Sequence, residues 1–524
     1  NDGVNEKNYF RLTIIMEYYG INKVYFKIFS LLQHGTHMNL SEGTIISGFT
    51  LQEIRPVNSI QAIAYIFFHN NTGARLLKLV NTDDNKVFSI AFKTPPHDNT
   101  GLPHILEHSV LTGSKKFPTK EPFVELLKSS LNTFLNAMTF PDKTMYPVAS
   151  KNEKDFLNLM DVYLDAVFFP NIYDNPFTFM QEGWHYELDS SGRLIISGVV
   201  YNEMKGAFSS PERILFTNIQ KLLYPDSCYA FESGGEPEAI PSLTQDMFLD
   251  FHRRFYHPSN SYIYLYGNGN TKRELALIES YLSEFEKKHI HAPIVSQKPF
   301  DKPLEAIFEY PISNGEDARE RSYLALATAS GENTDATTYL GYEIVRHLLF
   351  GTSASPLKKA LLKANIGKDV LAYAEMEILQ PFLCTVVKNT EPEKKDIFLQ
   401  TIRETLASLA RKGIDRELIE ASINHTEFQL REAEHPNLPR GLLYHFISMA
   451  SWLYCDDPLL HVDFAPTLES IRKSASDGFF EEFINTHILS STHAACVTLV
   501  PKKGLAEERE DAEQPQQQDR QRLA

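Results

Sequence analysis

Between Lys287 and Pro303 the sequence turns polar and is punctuated by Pro293, Pro299 and Pro303, while the same rhythm of apolar strand and amphipathic helix stands on either side. Proline fixes φ and has no amide hydrogen, so such a stretch neither extends a sheet nor continues a helix. It reads as a linker. A chain of 524 residues is also too long for one hydrophobic core. The pattern therefore predicts two large domains.

Before the linker, apolar runs predict strands at Ala62–Phe68, Ala74–Val80, Val87–Lys93 and Ser261–Tyr266, and a β-like run at Leu194–Val200. Asn70-Asn71-Thr72-Gly73 supplies the residues that tolerate positive φ in a tight hairpin. Helical periodicity begins near Leu102 and returns at Pro122–Leu131, Lys154–Val167 and Lys272–Phe285. After the linker a strand at Ser322–Thr328 is followed by helices at Thr338–Leu349, Lys394–Arg411 and Arg416–Ala433, then by a strand at Ala494–Val500. Interleaved strands and helices imply a mixed layered fold. The run Tyr342–Gly351 echoes Pro103–Gly113 in texture, which suggests duplication without the second copy carrying metal-binding residues. Gly267-Asn268-Gly269 sits at a strand-to-helix turn, but it lacks the third glycine of a dinucleotide loop, and Thr271 reads as an ordinary helix N-cap.

The formal net charge is −16, which excludes a general nucleic-acid binder, because neutralising phosphates requires surplus Lys and Arg. It suits a basic partner or substrate. Cys228, Cys384, Cys455 and Cys496 are scattered with no C-x-x-C pair, so a reducing compartment is expected: an organelle matrix of mitochondrial type in a eukaryote, or the cytoplasm in a bacterium. No apolar run reaches membrane-spanning length. The stretch Tyr9–Gln33 is rich in Ile, Phe, Tyr and Leu with Arg11, Lys23 and Lys27 against Glu17, so residues 1–45 form an N-terminal extension or targeting segment. The Gln-rich, charged residues 502–524 read as a mobile tail or the start of a helical connection.

The chemistry concentrates in His104-Ile105-Leu106-Glu107-His108. On a helix, residues four apart lie one turn above each other, so both imidazoles reach one metal ion. Glu107 is adjacent on that face and suits the role of a general base. A zinc ion held by three protein groups keeps one position for water and lowers its pKa. The third ligand is an acid from another element. Glu203 follows an apolar strand in a short helical run, and Glu182, in Gln181-Glu182-Gly183-Trp184, is the other candidate.

These residues resemble those of the pitrilysin/insulinase superfamily of inverted-motif zinc peptidases, and within it the presequence-protease branch. The likeness runs from Gly48 to Val500. It rests on Asn71–Arg75, Gly101–His108, Leu131–Thr139, Gln181–Trp184, Tyr201-Asn202-Glu203-Met204-Lys205-Gly206 and Ser353–Leu361. The resemblance implies an α+β fold of two homologous domains, each a mixed, mostly antiparallel sheet packed with helices. It assigns residues 46–286 to a zinc-binding catalytic domain, 287–304 to the linker and 305–501 to a second, non-catalytic domain. It also implies one Zn2+ on His104, His108 and Glu203, with Glu107 as base. Asn136 and Ala137 would lie on an edge strand that pairs with an extended peptide, where the residues alone suggest only a turn or cap for Asn136. Family members are longer, and their further domains close a chamber and supply an Arg and a Tyr to the substrate. The expectation is thus a zinc metalloendopeptidase half acting on unfolded peptides such as targeting presequences, completed by a missing C-terminal half or partner chain. The alternative is a non-catalytic peptide-binding or assembly subunit of the same fold.

Overall fold

The computed structural model describes residues 40–119 and 122–509. Most of the expected targeting segment, residues 1–39, and the tail from residue 510 lie outside them.

The strands are β1 (Ile45–Ile46), β2 (Phe49–Val57), β3 (Ala62–His69), β4 (Arg75–Val80), β5 (Lys86–Lys93), β6 (Asn132–Leu135), β7 (Met138–Thr139), β8 (Lys143–Ser150), β9 (His185–Leu188), β10 (Leu194–Ser197), β11 (Ser261–Tyr266), β12 (Leu304–Ile312), β13 (Ser322–Ala329), β14 (Asp369–Glu375), β15 (Phe382–Thr390) and β16 (Ala494–Lys503). The first sheet runs β1-β2-β3-β4-β11-β5-β8-β6, with β7 also on β8. The second runs β12-β16-β13-β15-β14, and β9 and β10 form a separate hairpin.

The two large sheets share a topology. In the first, β11 is inserted parallel to β4 and antiparallel to β5, and β5 pairs antiparallel with β8. In the second, β16 is inserted parallel to β12 and antiparallel to β13, and β13 pairs antiparallel with β15. A helix follows the equivalent strand in each: Leu102–Val110 after β5, and Ala336–Phe350 after β13. The echo between Pro103–Gly113 and Tyr342–Gly351 thus falls on topologically matching helices, as duplication of an α+β unit requires.

Both faces of the first sheet are covered, which is why its strands read as nearly continuous apolar runs. Adjacent residues of a strand face opposite sides. Leu76 accordingly joins a core formed with the helices of the first half, while Leu77 joins one that contains Leu442, Met449 and Trp452 of the helix Arg440–Cys455. The second half therefore serves as the other wall of the first sheet. Tyr262 meets Trp452 edge to face at 5.2 Å across that boundary.

Four local readings need correction. The β-like run ends at Ser197, because Val199 already opens the helix Val199–Ala207. The helix after β11 is capped by Asn270, whose Oδ1 accepts from the Arg273 amide at 3.2 Å, and Thr271 is its first residue. β16 continues through Lys503, so residues 502 and 503 are sheet rather than tail. Finally, the edge strand expected to hold Asn136 and Ala137 is interrupted, with both residues in the gap between β6 and β7. The cause is Pro147 in β8. Its carbonyl accepts from the Asn136 amide at 3.3 Å, but it has no N–H to return, and the Asn136 carbonyl accepts instead from the Tyr163 hydroxyl at 3.1 Å.

Candidate metal centre

The helix Leu102–Val110 starts where the chain can start it. Gly101 has φ 69°, and a side chain there would collide with the backbone of Gly234 and Gly235. Pro103 stands in the first turn, where no amide hydrogen is needed. Ile105, Leu106 and Val110 are buried in the first core, which turns His104, Glu107 and His108 toward two adjoining cavities. The close approach at Gly101 brings the Gly234 carbonyl 3.1 Å from His104 Nδ1.

Two further elements meet this helix. Phe177–Glu182 ends against Val199–Ala207, because Gly198 has no side chain to clash with the Gly183 backbone. That contact brings Glu203 to both imidazoles and Glu182 to that of His108, in different roles. Glu203 Oε2 lies 3.8 Å from His104 Nε2 and 3.7 Å from His108 Nε2. Glu182 Oε2 lies 3.5 Å from His108 Nδ1. Of the two acids left open by the residues alone, Glu203 therefore shares the metal-facing nitrogens and Glu182 backs His108 from behind.

The donor set fits zinc. One atom each from His104, His108 and Glu203 falls within a 4.8 Å cluster. A tetrahedral ion with ligands at about 2.0–2.1 Å would hold them roughly 3.4 Å apart, close to the separations present. Both Nδ1 atoms have an oxygen partner, which leaves Nε2 of each ring for an ion, the usual outer-shell arrangement of histidine sites.

Glu107 is only 7% exposed, and Thr139 Oγ1 donates to its Oε2 at 2.6 Å. Burial pushes its carboxyl above the ordinary range, opposed by His104 and by the Thr139 hydrogen bond. For His108, burial alone lowers the pKa, but the carboxylates of Glu182, Glu107 and Glu203 outweigh it and the net shift is upward. A cavity of about 370 Å³ opens on one side of Glu107, lined also by Glu203, Arg213, Glu232, Tyr373 and Glu375. A second, of about 350 Å³, opens on the other, where Leu111, Phe123 and Ala137 give it an apolar wall beside Asn136. Sequence reasoning missed Thr139, Arg213 and Tyr373. Arg213 is held by Glu232 at 2.8 Å, and Tyr373 comes from the second sheet.

Among the described residues, no strand pairs with the exposed side of the Asn136–Ala137 gap. Asn136 is exposed and Ala137 half-buried there, and the Asn136 amide is turned inward to Pro147.

Residues 94–191 match the model of the insulinase family, peptidase family M16, and residues 242–425 match that of the peptidase M16 inactive domain. The protein HypA of Clostridium perfringens is 50% identical over 474 residues, covering 90% of this chain and 49% of that protein. The chloroplastic/mitochondrial presequence protease 1 of Arabidopsis thaliana is 42% identical over 466 residues, covering 87% and 43%. The chain thus spans about half the length of these relatives. Among solved structures, pitrilysin superposes with a TM-score of 0.61 at 17% identity, over 87% of this chain and 47% of that one, a likeness of fold.

Proposed function

The chain belongs to the pitrilysin/insulinase superfamily of peptidases, in its presequence-protease branch, and on that premise we propose that it is the zinc-binding half of a metalloendopeptidase that cleaves unfolded peptides, targeting presequences among them. The observation that carries the reading is the convergence of His104, His108 and Glu203 from two helices around one point, with the buried carboxyl of Glu107 beside it. Zinc bound there would polarise a peptide carbonyl and make water acidic enough to deprotonate.

The chain's own groups do the rest. Glu107 Oε2 is held by Thr139, so Oε1 is the atom left to take a proton from the attacking water and pass it to the leaving amine. Its burial raises the carboxyl pKa in the direction a base working near neutrality needs. Ala137 presents its backbone to an extended peptide at the sheet edge, and the cavity beside it, with Leu111 and Phe123, receives an apolar side chain of that peptide. Glu375 faces the opposite cavity, where a basic side chain of the peptide would meet it. Completion of a closed chamber by a further half or partner chain is part of the same proposal. It accords with a chain that spans about half of its longer relatives.

The test is hydrolysis of a quenched basic peptide by the zinc-loaded chain, alone and with the second half of a full-length relative, using Glu107→Gln as control. Cleavage that needs both zinc and Glu107 supports the proposal. Zinc and peptide binding without turnover in either arrangement would favour a binding subunit instead.

A further inference from the structure

Thr139, which orients Glu107, sits one residue before a turn whose other end is gripped by the second half of the chain. The turn Phe140–Lys143 is closed by the Phe140 amide on the Lys143 carbonyl at 2.8 Å. Three contacts fasten it from outside. Asp142 is fully buried, and its Oδ2 accepts from the hydroxyls of Tyr229 and Tyr454, each at 2.6 Å. Lys143, also fully buried, donates to the Glu377 carbonyl at 2.8 Å. The Phe140 ring packs on Phe446 at 5.7 Å. Tyr454 and Phe446 belong to the helix Arg440–Cys455, and Glu377 lies between β14 and β15, so all three contacts involve the second half. Tyr229 joins the same network by accepting from the Leu379 amide at 2.9 Å.

A buried carboxylate with a neighbouring ammonium and two hydroxyl donors is worth little as stability compared with an apolar substitute, but it fixes geometry. Here the geometry fixed is that of β7. β7 is only two residues long, and Pro147 and the gap at Asn136–Ala137 deprive it of a continuous ladder on its N-terminal side. Its own pairing is too short to set the Thr139 side chain unaided, and the clamp three residues further on supplies the missing constraint.

We propose that Asp142 is a positioning residue: through it the second sheet domain, though it carries no metal ligand, holds the Thr139 turn and thereby aims the Glu107 carboxylate. This rests on the reading of Glu107 as the base. The experiment compares the zinc-loaded wild-type chain with Asp142→Asn and Tyr454→Phe, which keep the side-chain shapes, and with Thr139→Val, which removes the hydroxyl and leaves the clamp. Amide hydrogen exchange is followed across residues 138–145 and, as a control for general loosening, across 323–328. Crystals of each variant give the Thr139–Glu107 separation, and kcat and KM are taken on the quenched peptide.

The expected result is exchange at least tenfold faster at 138–145 and unchanged at 323–328 for both clamp variants. The Thr139–Glu107 contact should be lost or split between positions, and kcat should drop about tenfold with KM within twofold. Thr139→Val should reproduce the kcat loss without the faster exchange. Unchanged exchange in the turn, equal acceleration in both segments, or an intact Thr139–Glu107 contact in the clamp variants would overturn the proposal. If the wild-type chain hydrolyses nothing, alone or with the second half of a full-length relative, the enzymatic reading fails by itself, and exchange and the crystal contact still decide whether the clamp sets the Glu107 geometry.

Discussion

Glu182 Oε2 stands 3.5 Å from His108 Nδ1, on the side of the ring away from Glu203, and its other oxygen accepts from Gln181 Nε2 at 2.9 Å. A carboxylate in this position holds the ring with Nε2 forward and raises its basicity. Glu182→Gln keeps an oxygen near Nδ1 but removes the charge. Zinc affinity, measured by competition with a chromogenic chelator, should weaken about 10–100-fold. Unchanged affinity would reduce Glu182 to a packing residue.

Ala137 offers a test of edge pairing that leaves the metal alone. In Ala137→Pro the N–H offered to substrate is gone, while the inward bond from Asn136 to Pro147 involves a different residue. One peptide hydrogen bond contributes about 0.5–1.5 kcal/mol, so kcat/KM on the quenched peptide should fall roughly two- to twelvefold. Zinc affinity should not move. Equal kcat/KM in the variant would show that substrate does not extend the sheet here.

How much of this was legible in the sequence depends on the range of the interaction. His104, Glu107 and His108 are tied by helical spacing, so three letters of sequence fix one face. Most elements announced themselves through periodicity. Glu182 and Glu203 could not be separated by the residues alone, because both are acids in short helices. Only the packing of Gly198 on Gly183 decides which nitrogen each one meets. Thr139 left no local signal, since its partner is 32 residues away. The broken edge strand did leave one, Pro147, but its meaning depends on the register that sets it opposite Asn136.

The Gly-x-Gly turn is explained by a buried ion pair rather than a nucleotide. Lys78 Nζ meets Glu274 Oε2 at 2.7 Å with both side chains almost fully buried, and a side chain at Gly269 would fall 2.0 Å from Glu274 Oε1. Glycine there makes room for the carboxylate. Lys78→Met alone leaves a buried charge without its partner and should cost about 3–5 kcal/mol in urea unfolding. Lys78→Met with Glu274→Leu should recover most of that loss. A double variant as unstable as the single one would mean the pair fixes the fold in some other way.

His445 lies on the helix Arg440–Cys455, fully buried and stacked on Tyr264 at 4.3 Å, and neither ring nitrogen has a hydrogen-bond partner. Burial, with the Lys143 cation adding to it, pushes its pKa down from 6.5 to about 3. Between those values the unfolded chain binds a proton that the native one refuses, so stability rises with pH across this window and is lost as pH falls from 6.5. His252 and His461, each pushed down to about 4, act in the same direction. His445→Phe keeps the stacked ring and removes one titrating group, so relative to wild type it should gain about 2 kcal/mol between pH 7 and pH 5, at roughly 1.4 kcal/mol per unit below 6.5. Urea midpoints at the two pH values measure this. A difference that does not change with pH would show that the native chain protonates His445 as readily as the unfolded one, and that water reaches the ring stacked on Tyr264.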